Sequence, residues 1–391
     1  MGWRECDKMD EKLKFIARYL EGEKIAPLCR EFGVSRVTGH KLIERYKMMG
    51  QMALVEQKRT PHRYANKLPI AVEALILDLK REYPNWGAPK IREKIIKKYP
   101  DVKPPAKSTV HAVLDRNGLA KKRKGRKRFK AKGTPLAHVT EPNQLWCADY
   151  KGEFMLGNKQ YCYPLTITDY ASRFLISCEA LASTKEEFAF EIFTRAFKEY
   201  GLPDSIRTDN GTPFASAQAF YNLTKLSVWW MRHGINLERI RPGHPQENGR
   251  HERMHLTLKL ETTRPPKENL IAQQEVFDKF INEFNTERPH EGVDNKYPTE
   301  VYKPSAREYK PLEPLYYPLH DKTITVTQCG RICDRSLKVS FSRAFAGQEV
   351  GVKEMEDGIW VVSFLEYDLG YFDDMSKRVE PVEDPFGLLK V

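Results

Sequence analysis

The spacing of apolar residues changes several times along the chain, and each change marks an element. Over residues 12–47, KLKFIARYLEGEKIAPLCREFGVSRVTGHKLIERYK, apolar side chains recur at steps of three and four, which predicts three short helices. The second opens near Pro27 and is closed by Gly33, and Ser35 caps the third. Leu42, Ile43 and Tyr46 of the third face inward, leaving Arg36, Lys41 and Arg45 outward in a helix-turn-helix pattern that Gly39 weakens. A second set follows over 68–118: LPIAVEALILDLKREY, GAPKIREKIIKKY and STVHAVLDRNGL, the last with Ser108 as N-cap and Asn117-Gly118 as its stop. The polar, proline-bearing MALVEQKRTPHRYAN joins the two sets as a linker.

From 144 to 262 the period alternates. Strands are expected at 144–154, 160–169, 173–180, 204–209 and 236–241, and helices at 185–200, 216–234 and 246–262. Three hairpin-like strands followed by helix, strand, helix, strand, helix describe a mixed sheet with helices on its faces. Another helix spans 270–284, and six prolines make 285–319 mostly irregular. Beyond it, 322–373 alternates at period two, with Asp357-Gly358 as a hairpin turn, and predicts a small all-β barrel or sandwich. The fold class is therefore multidomain. Helical DNA-binding modules at 1–50 and 68–120 are separated by a linker at 51–67 and followed by a basic linker at 121–135. A central α/β domain with a mixed sheet fills 136–285, a proline-rich connector 286–319, and a small β-barrel 320–391.

Charge sharpens this division. The net charge is +12, but residues 1–140 carry 34 Lys+Arg against 15 Asp+Glu, a net of +19, so the remainder is −7. A basic front half joined to an acidic back half suits a polyanion held by one part and worked on by the other, with double-stranded DNA the natural partner. Residues 121–132, KKRKGRKRFKAK, hold nine basic residues in twelve and cannot pack into a core. Lys121, Lys122, Arg123, Lys124, Arg126, Lys127 and Arg128 are expected to track phosphates, adding affinity and no sequence choice. Ser108 and Thr109, at the start of their helix, are candidate DNA contacts too. No apolar run has membrane-spanning length, the N-terminal MGWRECDKMDEK is too charged for the apolar core of a secretory signal, and seven scattered cysteines form no disulfide framework. The cytoplasm is the expected location, with no membrane partner. Cys329 and Cys333 form a lone CxxxC, too little for a zinc site.

The chemistry is carried by three acids in the α/β stretch. Asp149, in QLWCADYKGEF, puts a carboxylate inside an apolar strand, which is costly unless a cation pairs with it. Asp209 ends a short strand where Asn210 and Gly211 turn the chain, and Glu247 follows RPGHP in the first turn of a helical pattern. Each alone is an ordinary strand-edge, turn or helix-start acid. Together, two strand carboxylates and one helix carboxylate can converge at one end of a sheet, where hard divalent cations would relieve their repulsion. Asp169 competes, but its place after the second strand suits a turn.

With these contexts the chain resembles the insertion-sequence transposases of the DDE superfamily, whose catalytic core is similar to that of retroviral integrases. The resemblance rests on LWCADYKGEF, RTDNGTPF, HPQENGRHERMH, FNTERPHEGVDNKYPTEVY and the preceding helix-turn-helix modules, and covers nearly the whole chain. It implies an RNase H-like core with Asp149, Asp209 and Glu247 as catalytic, metal-holding acids, although 37 residues separate the last two where 35 is common. It further implies two Mg²⁺ ions, with Mn²⁺ as a substitute, DNA cleavage at element ends followed by strand transfer, and a homodimer or larger homo-oligomer on DNA. The alternative is a non-enzymatic DNA-binding regulator retaining an inactive core.

HERMH, from His251 to His255, formally matches the HExxH of zinc proteases. A helix presenting Glu247 to the sheet also turns His251 toward it, so the match is expected as a by-product, with His251 within reach of a DNA phosphate. Arg250 and Lys259 on the same helix are further candidate phosphate contacts, and Trp229 and Trp230 are read as packing residues.

Overall fold

A computed structural model describes residues 8–55, 68–120, 139–216, 219–241, 244–334, 337–356, 358–373, 375, 377–383 and 386. The seven basic residues expected to track phosphates between Lys121 and Arg128 lie outside them. The chain divides into two compact units, Met1–Leu68 and Pro69–Val391.

The first unit is three helices, α1 (Lys8–Leu20), α2 (Ile25–Glu31) and α3 (Arg36–Met49), around Phe15, Ile16, Leu28, Cys29, Ile43 and Leu54. The Ser35 hydroxyl accepts the Thr38 amide at 3.1 Å, the expected cap. Gly39 is buried, and a Cβ there would lie 2.5 Å from Cys29 Sγ and 3.1 Å from Phe15 Cζ. The residue that lowers helix propensity is thus the one that lets α3 close onto α1 and α2. Arg36, Lys41 and Arg45 are exposed, as the pattern predicts.

In the second unit, α4 (Ile70–Glu82), α5 (Ala88–Lys98) and α6 (Lys107–Arg116) form the second helical set. Ala106, not Ser108, occupies the N-cap of α6, because the helix starts two residues earlier than the serine signal implied; Ser108 is exposed and Thr109 half-buried in its first turn.

The α/β region opens with β1 (Leu145–Tyr150), β2 (Phe154–Met155), β3 (Tyr161–Asp169) and β4 (Leu175–Leu181), then α7 (Glu186–Tyr200) and β5 (Ser205–Thr208). α8 (Lys225–Arg232), β6 (Asn236–Arg239), α9 (Gly249–Thr262) and α10 (Leu270–Thr286) complete it. The sheet runs β2-β3-β1-β5-β6 with β4 on β3; β1 is antiparallel to β3 and parallel to β5, giving the mixed sheet expected. One face buries Phe193, Phe197 and Trp230 of α7 and α8, and the other Met254, Leu258, Phe277 and Phe280 of α9 and α10. Each fully buried ring of this kind is worth about 1.5–3 kcal/mol. Trp230 is core and Trp229 packs on Phe190 and Phe197, in keeping with their reading as packing residues.

Two expected helices are shorter than their patterns. α8 begins only at Lys225, where Thr224 accepts the Ser227 amide in a capping box, so residues 216–224 are not its continuation. The expected helix at 246–262 splits into a 3-10 turn, Pro245–Asn248, and α9, so Glu247 precedes the helix. The proline-rich connector carries a short helix, α11 (Pro298–Val301), and packs Tyr302 and Tyr309 onto the α/β core.

The C-terminal strands are β7 (Lys322–Thr325), β8 (Arg331–Asp334), β9 (Leu337–Ser340), β10 (Glu349–Glu356), β11 (Ile359–Phe364), β12 (Tyr367–Asp373) and β13 (Glu380–Pro381). They form a five-stranded sheet, β13-β12-β11-β10-β7, and a separate β8-β9 hairpin. Among the described residues no closed barrel is found: β8 and β9 form their own hairpin, tied to the segment before β13 by a Ser340–Arg378 bridge, and the edges β7 and β13 are unjoined. The β10-β11 hairpin forms at the expected place, although Asp357 itself is outside the described residues. No helix among the described residues is long and apolar enough to cross a membrane.

Candidate active site

The parallel register of β1 and β5 brings the first two acids together. Cys147 pairs with Arg207, so Asp149, two residues further along β1, and Asp209, just past the end of β5, lie at the same end of neighbouring strands, where the charge of Asp209 acts on Asp149. The turn after β5 holds Asp209 in place: Gly211 donates its amide to Asp209 Oδ1 at 3.1 Å, and Asn210 Nδ2 donates to the Ile240 carbonyl at 2.7 Å. A Cβ on Gly211 would sit 3.0 Å from Asp209 Oδ2. Burial pushes the Asp149 carboxyl up to about 7, with the charges of Asp209 and Glu252 adding to it and the Tyr150 amide opposing. Burial raises Asp209 as well, against the Gly211 amide.

Glu247 does not join them. Among the described residues, neither Asp149, Asp209 and Glu247 nor Asp149, Asp209 and Glu252 form a group with ligand atoms within 4.8 Å of one another. Glu247 is 4% exposed, and its carboxylate accepts the Arg241 amide at 2.8 Å and the Arg241 guanidinium at 2.7 Å. Burial opposes its charge, but the Arg241 amide and guanidinium, with His244, outweigh that and hold its pKa below the usual carboxylate range. Its backbone is fixed too, since the fully buried Arg207 donates to the Glu247 carbonyl at 3.3 Å while pairing with Glu238. The chain thus engages the Glu247 carboxylate, expected as the third acid, in an ion pair with Arg241 before the helix begins.

Besides Asp209, the acid whose charge reaches Asp149 is Glu252, exposed in the first turn of α9. Three residues on, at the spacing that shares a helix face, His255 Nδ1 lies 3.8 Å from Asp149 Oδ2. Sequence reasoning missed Glu252 because it took the first glutamate of the block as the helix start. The signal lay in HERMH itself, whose glutamate, Glu252, follows a buried histidine by one position and so falls at the edge of the buried stripe.

His251 is 1% exposed. Its Nε2 and Nδ1 lie 2.8 Å from the hydroxyls of Thr166 and Thr168 on β3. Burial and the neighbouring His255 lower its pKa well below the ordinary range, so it is a neutral ring. The expected phosphate contact by His251 is corrected on that ground, and with both nitrogens engaged the HExxH zinc geometry is absent. His255 Nε2 lies 2.7 Å from Thr166, and burial, then Lys151, lower its pKa to about 3. Asp149, His251 and His255 do gather with ligand atoms within 4.8 Å of one another. Asp169, set aside as a turn acid, accepts the amides of Asn143 and Ser172 and the Ser172 hydroxyl from a buried position, which is a structural role.

Cations lie on α9 and on segments whose charges reach it. Arg250 is exposed, donates to the Tyr170 carbonyl at 3.2 Å and lies 4.0 Å from the Tyr170 ring centre; Lys259 is exposed on α9. Two cations that the sequence did not single out are Arg173 and Lys90. Each is half-buried and makes no side-chain hydrogen bond or ion pair with any described residue. Burial, then Arg250, lowers Arg173 to about 10; burial, then Arg288, lowers Lys90 to about 7. The second helical set docks on this same body: Tyr83 and Lys94 of α4–α5 meet Glu287 at 2.5 and 2.9 Å, and Lys97 meets Glu300 at 2.5 Å.

Residues 139–245 match the integrase core domain family, a second integrase core domain family matches 233–298, and a homeodomain-like domain matches 38–114. An uncharacterized 39.2 kDa protein of insertion element IS476 from Xanthomonas euvesicatoria is 23% identical over 277 residues, 70% of this chain and 76% of that protein. The transposase of insertion sequence element IS904 from Lactococcus lactis is 27% identical over 188 residues, 45% of this chain and 72% of that one. Among solved structures, the HTLV-2 integrase catalytic core domain in complex with magnesium is 18% identical, with a TM-score of 0.32 over 41% of this chain and 97% of that one. A simian T-cell lymphotropic virus intasome chain gives a TM-score of 0.37 at 12% identity, over 76% and 95%.

Proposed function

The chain belongs with insertion-sequence transposases in the integrase-like superfamily, and on that premise we propose that it cuts and joins DNA at the ends of its own element, with Asp149, Asp209 and Glu252 as the reacting centre. The observation that carries the reading is the parallel pairing of β1 and β5, which brings Asp149 and Asp209 to the same end of neighbouring strands; the charge of Glu252 on α9, which also acts on Asp149, supports its choice as the third acid. Crowded carboxylates, one pushed up to about 7, are a donor set of the kind that hard divalent cations stabilise. Asp149, Asp209 and Glu252 would hold Mg²⁺, which when bound supplies Lewis-acid activation of the attacking oxygen and stabilises the departing one.

The protein's own part is positioning. Gly211 and Asn210 keep the Asp209 carboxylate directed, and the Thr166–His251–Thr168 bonds pin α9, which carries Glu252, against β3. Arg250, Arg173, Lys90 and Lys259 offer cations to the DNA backbone beside them; the two half-buried ones lack an acidic partner and would gain one in a phosphate. A water or a DNA 3′-hydroxyl attacks the phosphodiester, forming one P–O bond as the bond to the 3′-oxygen breaks. The nucleophile's proton leaves to solvent, and the departing oxygen takes one up. No protein nucleophile is required. The exposed Arg36, Lys41 and Arg45 of α3, and Ser108 and Thr109 of α6, would select the element end. Because two ends must be held together, the working form is a homodimer or larger assembly on DNA.

The test is joining of duplexes carrying element ends to a plasmid, with Mg²⁺ or EDTA. Products should vanish with EDTA and with Asp149→Asn, Asp209→Asn or Glu252→Gln. Binding without cleavage by the wild-type protein would favour a regulator instead.

A further inference from the structure

The hydrogen bonds around Thr166 leave one ring nitrogen with nothing to bond. The Thr166 hydroxyl meets the Asp149 carbonyl at 3.1 Å, His251 Nε2 at 2.8 Å and His255 Nε2 at 2.7 Å. It has a single proton to give, and the carbonyl can only accept, so all three contacts are hydrogen bonds together only when that proton goes to Asp149 O. Both imidazoles must then donate from Nε2 to the two lone pairs of the hydroxyl. The accounting closes: one bond donated, two accepted. His251 completes its ring by accepting the Thr168 hydroxyl at Nδ1. His255 has no such partner. Its Nδ1 carries a lone pair that faces Asp149 Oδ2 across 3.8 Å, too far for a hydrogen bond between them.

Two electron-rich atoms facing one another at that separation suit a shared cation. Bonds of about 2.1–2.2 Å to nitrogen and oxygen would span it at an angle of roughly 120–130°. We infer that His255 is a metal ligand beside Asp149, giving the centre a nitrogen donor in addition to its carboxylates. The inference rests on the proposed metal centre and deepens it by naming the class of ion favoured. Imidazole adds little for Mg²⁺ but strengthens binding of borderline transition ions, so Mn²⁺ should bind the free protein more tightly than Mg²⁺ because of this one side chain. His251, its nitrogens committed to Thr166 and Thr168, is a positioning residue that fixes the hydroxyl on which the His255 tautomer depends.

The experiment is pulsed EPR of Mn²⁺ on the full-length, DNA-free protein, with Mn²⁺ and Mg²⁺ titrations and circular dichroism to check the fold. The wild type should give nitrogen modulation that changes pattern when the histidines are ¹⁵N-labelled, an outcome needing no variant. His255→Gln should lose the modulation and about tenfold or more in Mn²⁺ affinity, with a smaller loss for Mg²⁺; His251→Gln should keep the modulation. Absence of nitrogen coupling in the wild type, its loss in His251→Gln with retention in His255→Gln, or unchanged Mn²⁺ affinity in a folded His255→Gln would each overturn the inference. Strand transfer without nitrogen coupling removes His255 as a ligand and leaves the proposed function standing, whereas coupling without strand transfer does the reverse.

Discussion

Glu247 and Glu252 stand five residues apart, and the structure assigns them opposite consequences when each is changed to glutamine. Glu247 is buried and its carboxylate takes two bonds from Arg241, one from the amide and one from the guanidinium. Charge-assisted bonds contribute about 1.5–3 kcal/mol each, but glutamine keeps one acceptor and Arg241 is partly solvated, so Glu247→Gln should cost about 2–3 kcal/mol. In a chain of this length the loss should appear as a fall of several degrees in the midpoint of thermal unfolding, with strand transfer below that midpoint close to wild type. Glu252 is exposed and forms no side-chain hydrogen bond or ion pair with a described residue, so Glu252→Gln should leave the unfolding midpoint unchanged. Its joining activity should drop by about a hundredfold to a thousandfold or more, as for loss of a group acting on developing charge. The assay pairs calorimetry of each purified variant with the plasmid-joining reaction at 25 °C. The reasoning is refuted if Glu247→Gln is inactive yet as stable as wild type while Glu252→Gln joins DNA normally.

Three other outcomes follow from local geometry. Gly39→Ala forces a Cβ to 2.5 Å from Cys29 Sγ and should destabilise the first helical unit by about 1–3 kcal/mol; Cys29→Ala in the same chain should recover part of that, and equal melting of Gly39→Ala and wild type would count against the close approach. His290, lowered to about 3 by burial and by Lys90 and Arg288, is neutral when folded but takes a proton near pH 6.5 when unfolded. Its contribution is whole above pH 6.5 and is lost as pH falls toward 3, about 2 kcal/mol by pH 5; urea midpoints at pH 7.5 and 5.0 should therefore converge more closely in His290→Gln than in wild type, and an equal acid loss in both would sink the claim. Arg173→Gln and Lys90→Gln should each weaken binding to DNA of any sequence and lower the slope of log affinity against log salt by about one, with no loss of fold; an unchanged salt slope would remove these cations from the DNA path.

How far the site could be read in advance differs from residue to residue. Asp149 and Asp209 were legible because each breaks a local rule, a carboxylate inside an apolar strand and another at a strand end before Asn-Gly. The helix-turn-helix pattern was legible through Ser35 and Gly33, whose roles are settled within a few residues. Glu247 misled because the breaker before it looks like a helix start, yet the chain spends Pro245–Asn248 in a 3-10 turn and uses that glutamate to bind Arg241. Gly39 misled in a different way, since helix propensity counts its missing side chain as a cost and packing counts it as clearance.

The sequence by itself determined the order of elements, the two strand acids and the basic front half, because strand alternation, turn residues and charge act over a few neighbouring positions. Only the tertiary structure decided which helix glutamate acts by its charge on Asp149, that His251 is committed to Thr166 and Thr168, and that His255 Nδ1 faces the same carboxylate. Those outcomes depend on where α9 begins and how it is rotated against β1 and β3, and that rotation is fixed by Met254, Leu258 and the buried His251 packing on the sheet, contacts between segments some 85 residues apart.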